Sequence, residues 1–305
     1  MNNASRWYWL HCLSPLHIGS GDGVGIIDQP IIREKVTEWP FIPGSTVKGV
    51  LRNHFISQEE GKNAQGQSSS WVDQAFGRGK GAQDELAGAV VFSDGRLLAF
   101  PVASRYGIFA YVTSPLVLER LKRDATAMDM DVPVPDVSSF EAEQVWITNQ
   151  SKLYDKNSTA SHTVYIDEFV GNAEKNTEWN TFATWLGQQC FAGDVESQRL
   201  FVERCTVVSD EVFQYLVTMC SEVTPRIRLN EETKTTVDGA LWYEEYVPTE
   251  ALFYGLMWCD RIPVQEKTTA KDELLRHLET QTVIQMGGNA TVGKGRVNYR
   301  AGGER

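Results

Sequence analysis

The order of apolar and polar residues divides this 305-residue chain into short strand-like and helix-like segments. Residues 6–13, RWYWLHCL, are aromatic and large apolar and suit a strand, which Pro15 ends. Gly19, Gly21, Gly23 and Gly25 then mark a mobile loop. Residues 25–35, GIIDQPIIREK, return to an extended apolar pattern broken by Pro30. After Pro43-Gly44 the period changes. Val47, Val50, Leu51 and Phe55 recur at helical spacing, with Ser45 as the expected N-cap. The polar stretch 61–70 predicts a loop, and GAVVFSDGRLLAFPV over 88–102 predicts a hairpin turning at Ser93-Asp94-Gly95. Residues 114–223 read as mainly helical, with helices near 115–124, 178–190, 195–206 and 210–222 and a polar interruption at 128–160. A long hairpin is expected over 226–247, and a strand, glycine-rich loop and strand over 283–300. Separated strands and clustered helices predict an α+β fold. Its core would span 1–113 and 224–305, and 114–223 would be a helical insertion.

Composition narrows the function classes. A hydrophobic fraction of 42% with nine Trp predicts a packed globular protein. No apolar run reaches the roughly 20 residues a membrane span needs, so no membrane partner is expected. The N-terminus runs directly into a strand-like segment rather than a secretory signal. Five scattered cysteines, none in a C-x-x-C pair, predict buried structural thiols in a reducing cytoplasm, with neither a zinc site nor a disulfide framework. The net charge of −11 argues against a free-standing nonspecific nucleic-acid binder. It leaves room for an acidic subunit with a local basic groove inside a larger particle.

Four segments carry candidate chemistry. In GGNATVGKGR (287–296), Gly288, Asn289 and Gly293 offer backbone N–H groups to a phosphate, and Lys294 and Arg296 add charge. Residues 288–294 satisfy G-x-x-x-x-G-K. Gly295 stands where a P-loop needs Ser or Thr, however, and too little chain follows for the remaining NTPase parts. An ordinary glycine-rich hairpin is the other reading. In PGSTVKGVLR (43–52), a helix N-terminus at Ser45 presents a positive dipole end, and Lys48 and Arg52 share one face. A solvated surface helix is equally compatible. Asp28 lies between apolar pairs beside a proline, where a lone Asp is ordinarily a cap or turn residue. RNA enlarges what one carboxylate can do, because the neighbouring 2′-hydroxyl can be the nucleophile. His17 is either an assisting acid or phosphate donor, or structural. The 226–247 hairpin reads as a protruding arm with stacking aromatics or as a core hairpin with Trp242 buried.

Together, LHIG (16–19), IIDQPIIREK (26–35), IPGSTVKGVLR (42–52), SDGRLLAFPV (93–102) and GGNATVGKGRV (287–297) resemble the RAMP superfamily of CRISPR proteins. Within it they resemble the backbone nuclease subunits of type III-B (Cmr) RNA-targeting complexes. The resemblance implies a modified ferredoxin-like (RNA-recognition-motif-like) core with a helical region and a protruding thumb hairpin. It implies copies stacked head to tail along a guide crRNA, other Cmr subunits as partners, and cleavage of single-stranded target RNA at six-nucleotide intervals. It makes Asp28 the catalytic residue, assisted by His17 and by Glu244 or Glu245 on the thumb. It calls for Mg²⁺ or another divalent metal, held by Asp28, and for no organic cofactor. Ser45, Lys48, Arg52, Gly288, Asn289, Gly293, Lys294 and Arg296 become contacts to guide RNA. A non-catalytic guide-RNA scaffold and, more remotely, a P-loop-like nucleotide-binding protein are the alternatives.

Overall fold

The computed structural model describes residues 5–302 apart from 22, 24–25, 61–69, 79–85, 156–161 and 260–270. The loop expected over 61–70, and Gly25, therefore fall almost wholly outside the described residues. The aromatic run at the start forms β1 (Ser5–Cys12). Trp7, Tyr8, Trp9, Leu10 and Cys12 are all buried, which needs cover on both faces of the strand and explains why it lacks polar alternation. On one face Tyr8 meets Phe92 and Tyr299. On the other, Trp9 meets Trp185 edge-on at 6.0 Å.

The chain continues through β2 (Phe41–Ile42), α1 (Gly44–Glu60), α2 (Ser70–Phe76) and the paired strands β3 (Gly77–Arg78) and β4 (Leu86–Ala87). Next come β5 (Val90–Phe92), β6 (Gly95–Ser104), β7 (Ile108–Thr113) and α3 (Pro115–Ala127). The middle holds β8 (Gln144–Ile147), β9 (His162–Ile166), β10 (Phe169–Lys175), α4 (Thr177–Cys190), α5 (Val195–Arg204), β11 (Cys205–Val207) and α6 (Asp210–Met219). The last part comprises β12 (Glu222–Leu229), β13 (Thr236–Tyr246), β14 (Leu252–Cys259), α7 (Lys271–Leu278), β15 (Gln281–Gln285), a 3₁₀ turn at Ala290–Val292 and β16 (Arg296–Ala301). Among the described residues no helix is long and apolar enough to cross a membrane.

One sheet of twelve strands organises the molecule. Its first part runs β15-β16-β1-β14-β6 with antiparallel neighbours. In chain order α1 lies between β1 and β5–β6, and α7 between β14 and β15. Its second part runs β6-β7-β11-β8-β10-β9, and the pairing of Ser104 with Ile166 joins β9 back to β6 and closes a ring. β12 and β13 stand apart as a two-stranded sheet.

Three expectations need correction. Residues 88–102 are not a hairpin: β5 and β6 lie end to end along the same side of β14. Between them Ser93 forms a local break, its N–H donating to the Leu256 carbonyl and its hydroxyl accepting the Leu256 N–H at 2.9 Å. Asp94 serves the helix rather than a turn. Its carboxylate accepts the Gly44 N–H at 2.8 Å, so α1 starts two residues earlier than expected and Ser45 is an exposed first-turn residue, not the N-cap. Gly44 is needed there because a Cβ would stand 2.5 Å from the Phe92 carbonyl oxygen. Finally, 114–223 supplies four strands, β8 to β11, as well as its four helices. β9 and β10 form a hairpin about Asp167-Glu168, and β11 begins where α5 ends because its backbone pairs with both β7 and β8.

The five cysteines are free thiols, four buried and Cys220 half-buried. Burial pushes the Cys220 thiol up to about 12, and Asp167 beside it acts in the same direction, so it is not a reactive nucleophile.

Candidate active site

Four segments far apart in sequence meet at the root of the β12–β13 hairpin. Residues 16–17 run antiparallel to 245–247, with Leu16 and Val247 exchanging both N–H···O=C bonds at 2.9 Å. Residues 28–33 lie along β13: Gln29 donates its N–H to the Tyr243 carbonyl and accepts the Glu245 N–H, each at 3.0 Å. The glycine-rich loop closes the other side, with Gly288 donating to the His17 carbonyl at 2.9 Å and Gly295 to the Pro15 carbonyl at 2.9 Å.

Asp28 is exposed, and its Oδ2 accepts the Tyr243 N–H at 2.7 Å. One carboxylate oxygen is thus fixed by backbone and the other faces outward. His17 is buried, its Nδ1 2.8 Å from the Glu245 carbonyl oxygen and its ring edge-on to Tyr246 at 5.6 Å. A carbonyl only accepts, so Nδ1 carries the proton and Nε2 is the nitrogen left for exchange. Asp28 and His17 are therefore anchored to β13 two residues apart.

Glu244 is buried and saturated. Oε1 accepts the Trp242 indole N–H at 2.8 Å. Oε2 accepts from Arg226 Nε and Asn289 Nδ2, each at 3.1 Å, and from the Tyr246 hydroxyl. Burial pushes its pKa up, but the hydrogen bonds from Tyr246, Trp242 and Arg226 and the Arg226 charge outweigh that and hold it below the ordinary glutamate value. Glu245, on the opposite face of β13, accepts the Ile31 N–H at 3.0 Å and pairs with Arg33 at 2.5 Å. Both carboxylates hold structure; neither has an oxygen placed for proton transfer. Trp242 is half-buried, between the two alternatives the sequence left open.

The glycine loop corrects a further expectation. It joins two antiparallel strands and carries a 3₁₀ turn instead of the helix a P-loop requires, which removes the nucleotide-binding reading. Of its N–H groups, those of Gly288, Val292, Gly293, Lys294 and Gly295 donate to protein carbonyls, so the Gly288 and Gly293 amides expected to meet phosphate are used within the protein. Its glycines serve close packing, since a Cβ at Gly287 would stand 2.2 Å from the His17 carbonyl oxygen. Asn289, in the left-handed region at φ 62°, spends its amide on Glu244 and on the Tyr246 hydroxyl at 3.0 Å. Lys294 Nζ lies over the Tyr246 ring at 4.7 Å from its centroid, and Arg296 is exposed.

The helix face expected to be basic is divided. Lys48 turns inward, donating to the Val90 carbonyl at 2.8 Å, and burial lowers its pKa. Arg52 is half-buried and has no carboxylate partner among the described residues. Charge is also segregated: residues 114–223 hold 18 of the 40 acidic side chains and only 8 of the 29 basic ones. That segment accounts for nearly all of the net charge of −11 and leaves the strands and loops around Asp28 close to neutral. Arg226 and Tyr246 lie in the hairpin the sequence singled out, Tyr246 beside Glu244 and Glu245 as a thumb-side group expected to assist, and both bond to Glu244. Arg33 is a site residue to which the sequence gave no role.

Comparison with known proteins shows the family. The family model of the RAMP superfamily matches residues 9–298. The CRISPR system Cmr endoribonuclease Cmr4 of Pyrococcus furiosus is 34% identical over 287 residues, covering 94% of this chain and 92% of that protein. The Cmr4 subunit of Saccharolobus solfataricus is 24% identical over 96% of this chain and 95% of its own length. In structure, oligomeric Cmr4 from Pyrococcus furiosus superposes with a TM-score of 0.73 at 27% identity, covering 98% of both chains. The chain belongs to the RAMP superfamily and is similar over nearly its whole length to its Cmr4 members.

Proposed function

We propose that this chain is a repeating backbone subunit of a type III-B CRISPR effector that holds guide RNA and cuts complementary target RNA at six-nucleotide intervals. The observation that carries the reading is Asp28, an exposed carboxylate with one oxygen fixed by Tyr243 N–H and the other open, where residues 16–17, 28–33, β13 and the glycine-rich loop meet. It is supported by likeness to a Cmr endoribonuclease over 94% of the chain.

A ferredoxin-like core is supported by the strand order β16-β1-β14-β6 with α1 and α7 as its crossings. β1, inside that sheet, is buried on both sides and offers no face to bases, which favours the hairpin root and loops as the place where RNA is met. The separate β12–β13 sheet fits a thumb. It is apolar and exposed along Val223, Ile227 and Leu241, as suits insertion between bases or against a neighbouring copy stacked head to tail.

The chemistry follows from RNA's own nucleophile. The open Asp28 oxygen takes the proton of a target 2′-hydroxyl, directly or through water, as the 2′-oxygen attacks the adjacent phosphorus and the bond from phosphorus to the 5′-oxygen breaks. When the His17 ring also carries a proton on Nε2, that nitrogen donates to the phosphate and gives its proton to the departing 5′-oxygen; otherwise water supplies it. A divalent metal fits here only as a hydrated ion sharing Asp28 with RNA phosphates. Mg²⁺ is commonly bound in that way, and among the described residues no group of three or more His, Cys, Asp or Glu could hold an ion alone. When bound it would neutralise phosphate charge.

The test is cutting of labelled target RNA by the assembled complex with Mg²⁺. A target carrying one 2′-deoxy nucleotide at a cut site should be spared at that site and cut at the others; cleavage there at the normal rate would rule out this nucleophile. Guide contact is expected from Arg52, Lys294 and Arg296. Arg52→Ala should weaken guide binding alike for all sequences and lower the slope of log affinity against log salt by roughly 0.7. Lys48→Ala, which removes the donor to the Val90 carbonyl, should instead lower thermal stability by about 1 kcal/mol, as a calorimetric scan would show.

A further inference from the structure

Among the described residues the Asp28 carboxylate makes one hydrogen bond, to Tyr243, yet its segment is pinned a few residues downstream by a largely buried ion pair. Arg33 and Glu245 meet with side chains only 19% and 6% exposed. The hydrogen bonds of the pair converge on one junction. Glu245 Oε2 takes the Ile31 N–H, and Oε1 takes Arg33 Nη2. The same Nη2 reaches Ser221 Oγ at 2.7 Å, just before β12 begins, and Nη1 reaches the Glu38 carbonyl at 2.6 Å. Glu38 adopts φ 57°, a left-handed conformation that costs a glutamate some strain and that closes the 34–38 turn behind Arg33. One guanidinium therefore ties the Asp28 segment to the start of β12 and, through Glu245, to β13.

From this geometry we infer that Arg33 and Glu245 are positioning residues for Asp28, setting the register of residues 28–33 against the hairpin root. A buried ion pair is a poor device for stability alone, and its better-attested use is to specify register. Register matters here because side chains alternate along extended backbone. A one-residue slip of 28–33 against β13 would turn Asp28 to the opposite face. The pair sets which phosphodiester the carboxylate meets, and takes no part in proton transfer. The inference rests on the reading of Asp28 as the cutting residue.

The test uses the reconstituted effector complex with labelled target RNA. It measures single-turnover cleavage at saturating target, target affinity, and the position of each cut at nucleotide resolution. Glu245→Gln keeps an acceptor for Ile31 but loses the charge that holds Arg33. It should slow cleavage about 10- to 100-fold, the scale of a misplaced catalytic group, leave target affinity within about 2-fold of wild type, and spread cuts onto neighbouring phosphodiesters. Arg33→Lys keeps the charge without the forked reach and should fall between wild type and Arg33→Ala on all three measures. It carries the same test if Glu245→Gln does not assemble. Wild-type rate and cut positions in these variants, with Asp28→Asn inactive, would overturn the positioning role. So would a rate loss matched by an equal loss of target affinity, which marks a merely structural pair. If Asp28→Asn itself cuts normally, the reading of Asp28 fails first.

Discussion

Replacing Asp28 with Asn should reduce target cutting by roughly 10²- to 10⁴-fold, the range associated with removing a positioned proton acceptor, while guide binding, assembly and target affinity stay near wild type. Asn is the sharper substitution because its amide oxygen can still accept the Tyr243 N–H that Asp28 Oδ2 accepts now. The segment should therefore keep its place. What is lost is the negative charge and the basic oxygen. Asp28→Ala should show the same loss of cutting with a modest further loss of order at residues 28–29. Single-turnover assays on the assembled complex, with target affinity measured in parallel, separate the outcomes. A loss smaller than about 10-fold would support the non-catalytic scaffold, in which Asp28 is only a docking residue for the hairpin.

The largest effect on stability is expected at Glu244. Its carboxylate receives hydrogen bonds from Trp242, Arg226, Tyr246 and Asn289 in a nearly closed site. Glu244→Ala leaves the Arg226 charge and three neutral donors without their acceptor. The Arg226 side chain is 30% exposed and water can take its charge, so the loss is that of unsatisfied buried donors, about 1–3 kcal/mol, which for a chain of this size lowers the melting temperature by roughly 5 °C. The dependence on pH supplies an independent check. The folded pKa of Glu244 lies below the ordinary glutamate value of 4.5, so its contribution is fully present above that value and is lost as pH falls through the depressed one. Glu250, whose carboxylate accepts from His11 and Tyr111, is lowered for similar reasons against the upward push of burial. Melting curves should therefore separate wild type from Glu244→Ala widely at pH 7 and progressively less below about pH 4.5. A gap that persists unchanged into acid would mean that lost packing, not the carboxylate, accounts for the difference.

Much of the architecture was legible because it depends on local pattern. The helical spacing of Val47, Val50, Leu51 and Phe55, and the capped starts of α4 to α6 at Asn176, Asp194 and Ser209, are properties of neighbouring residues. The turn signal at Ser93-Asp94-Gly95 misled for the converse reason. Asp94 has a distant partner, the N–H of Gly44, and a short polar interruption in a strand looks the same whether the chain reverses or runs on beside β14. Strands β8 and β11 are only four and three residues long, too short for periodicity to reveal.

The site divides along the same line. Residue types and order along the chain determined the family resemblance, the α+β class and the candidacy of Asp28, because each rests on side chains close together in sequence. The tertiary structure alone decided what those side chains do. It used the Gly288 and Gly293 amides of the glycine loop within the protein, turned Lys48 inward to Val90, and made Glu244 and Glu245 holding groups. It also joined Asp28 to a backbone N–H 215 residues away. The physical reason is that a hydrogen-bond partner, and the burial that sets a carboxylate's charge, belong to neighbours in space, and those are settled only when the hairpin root closes.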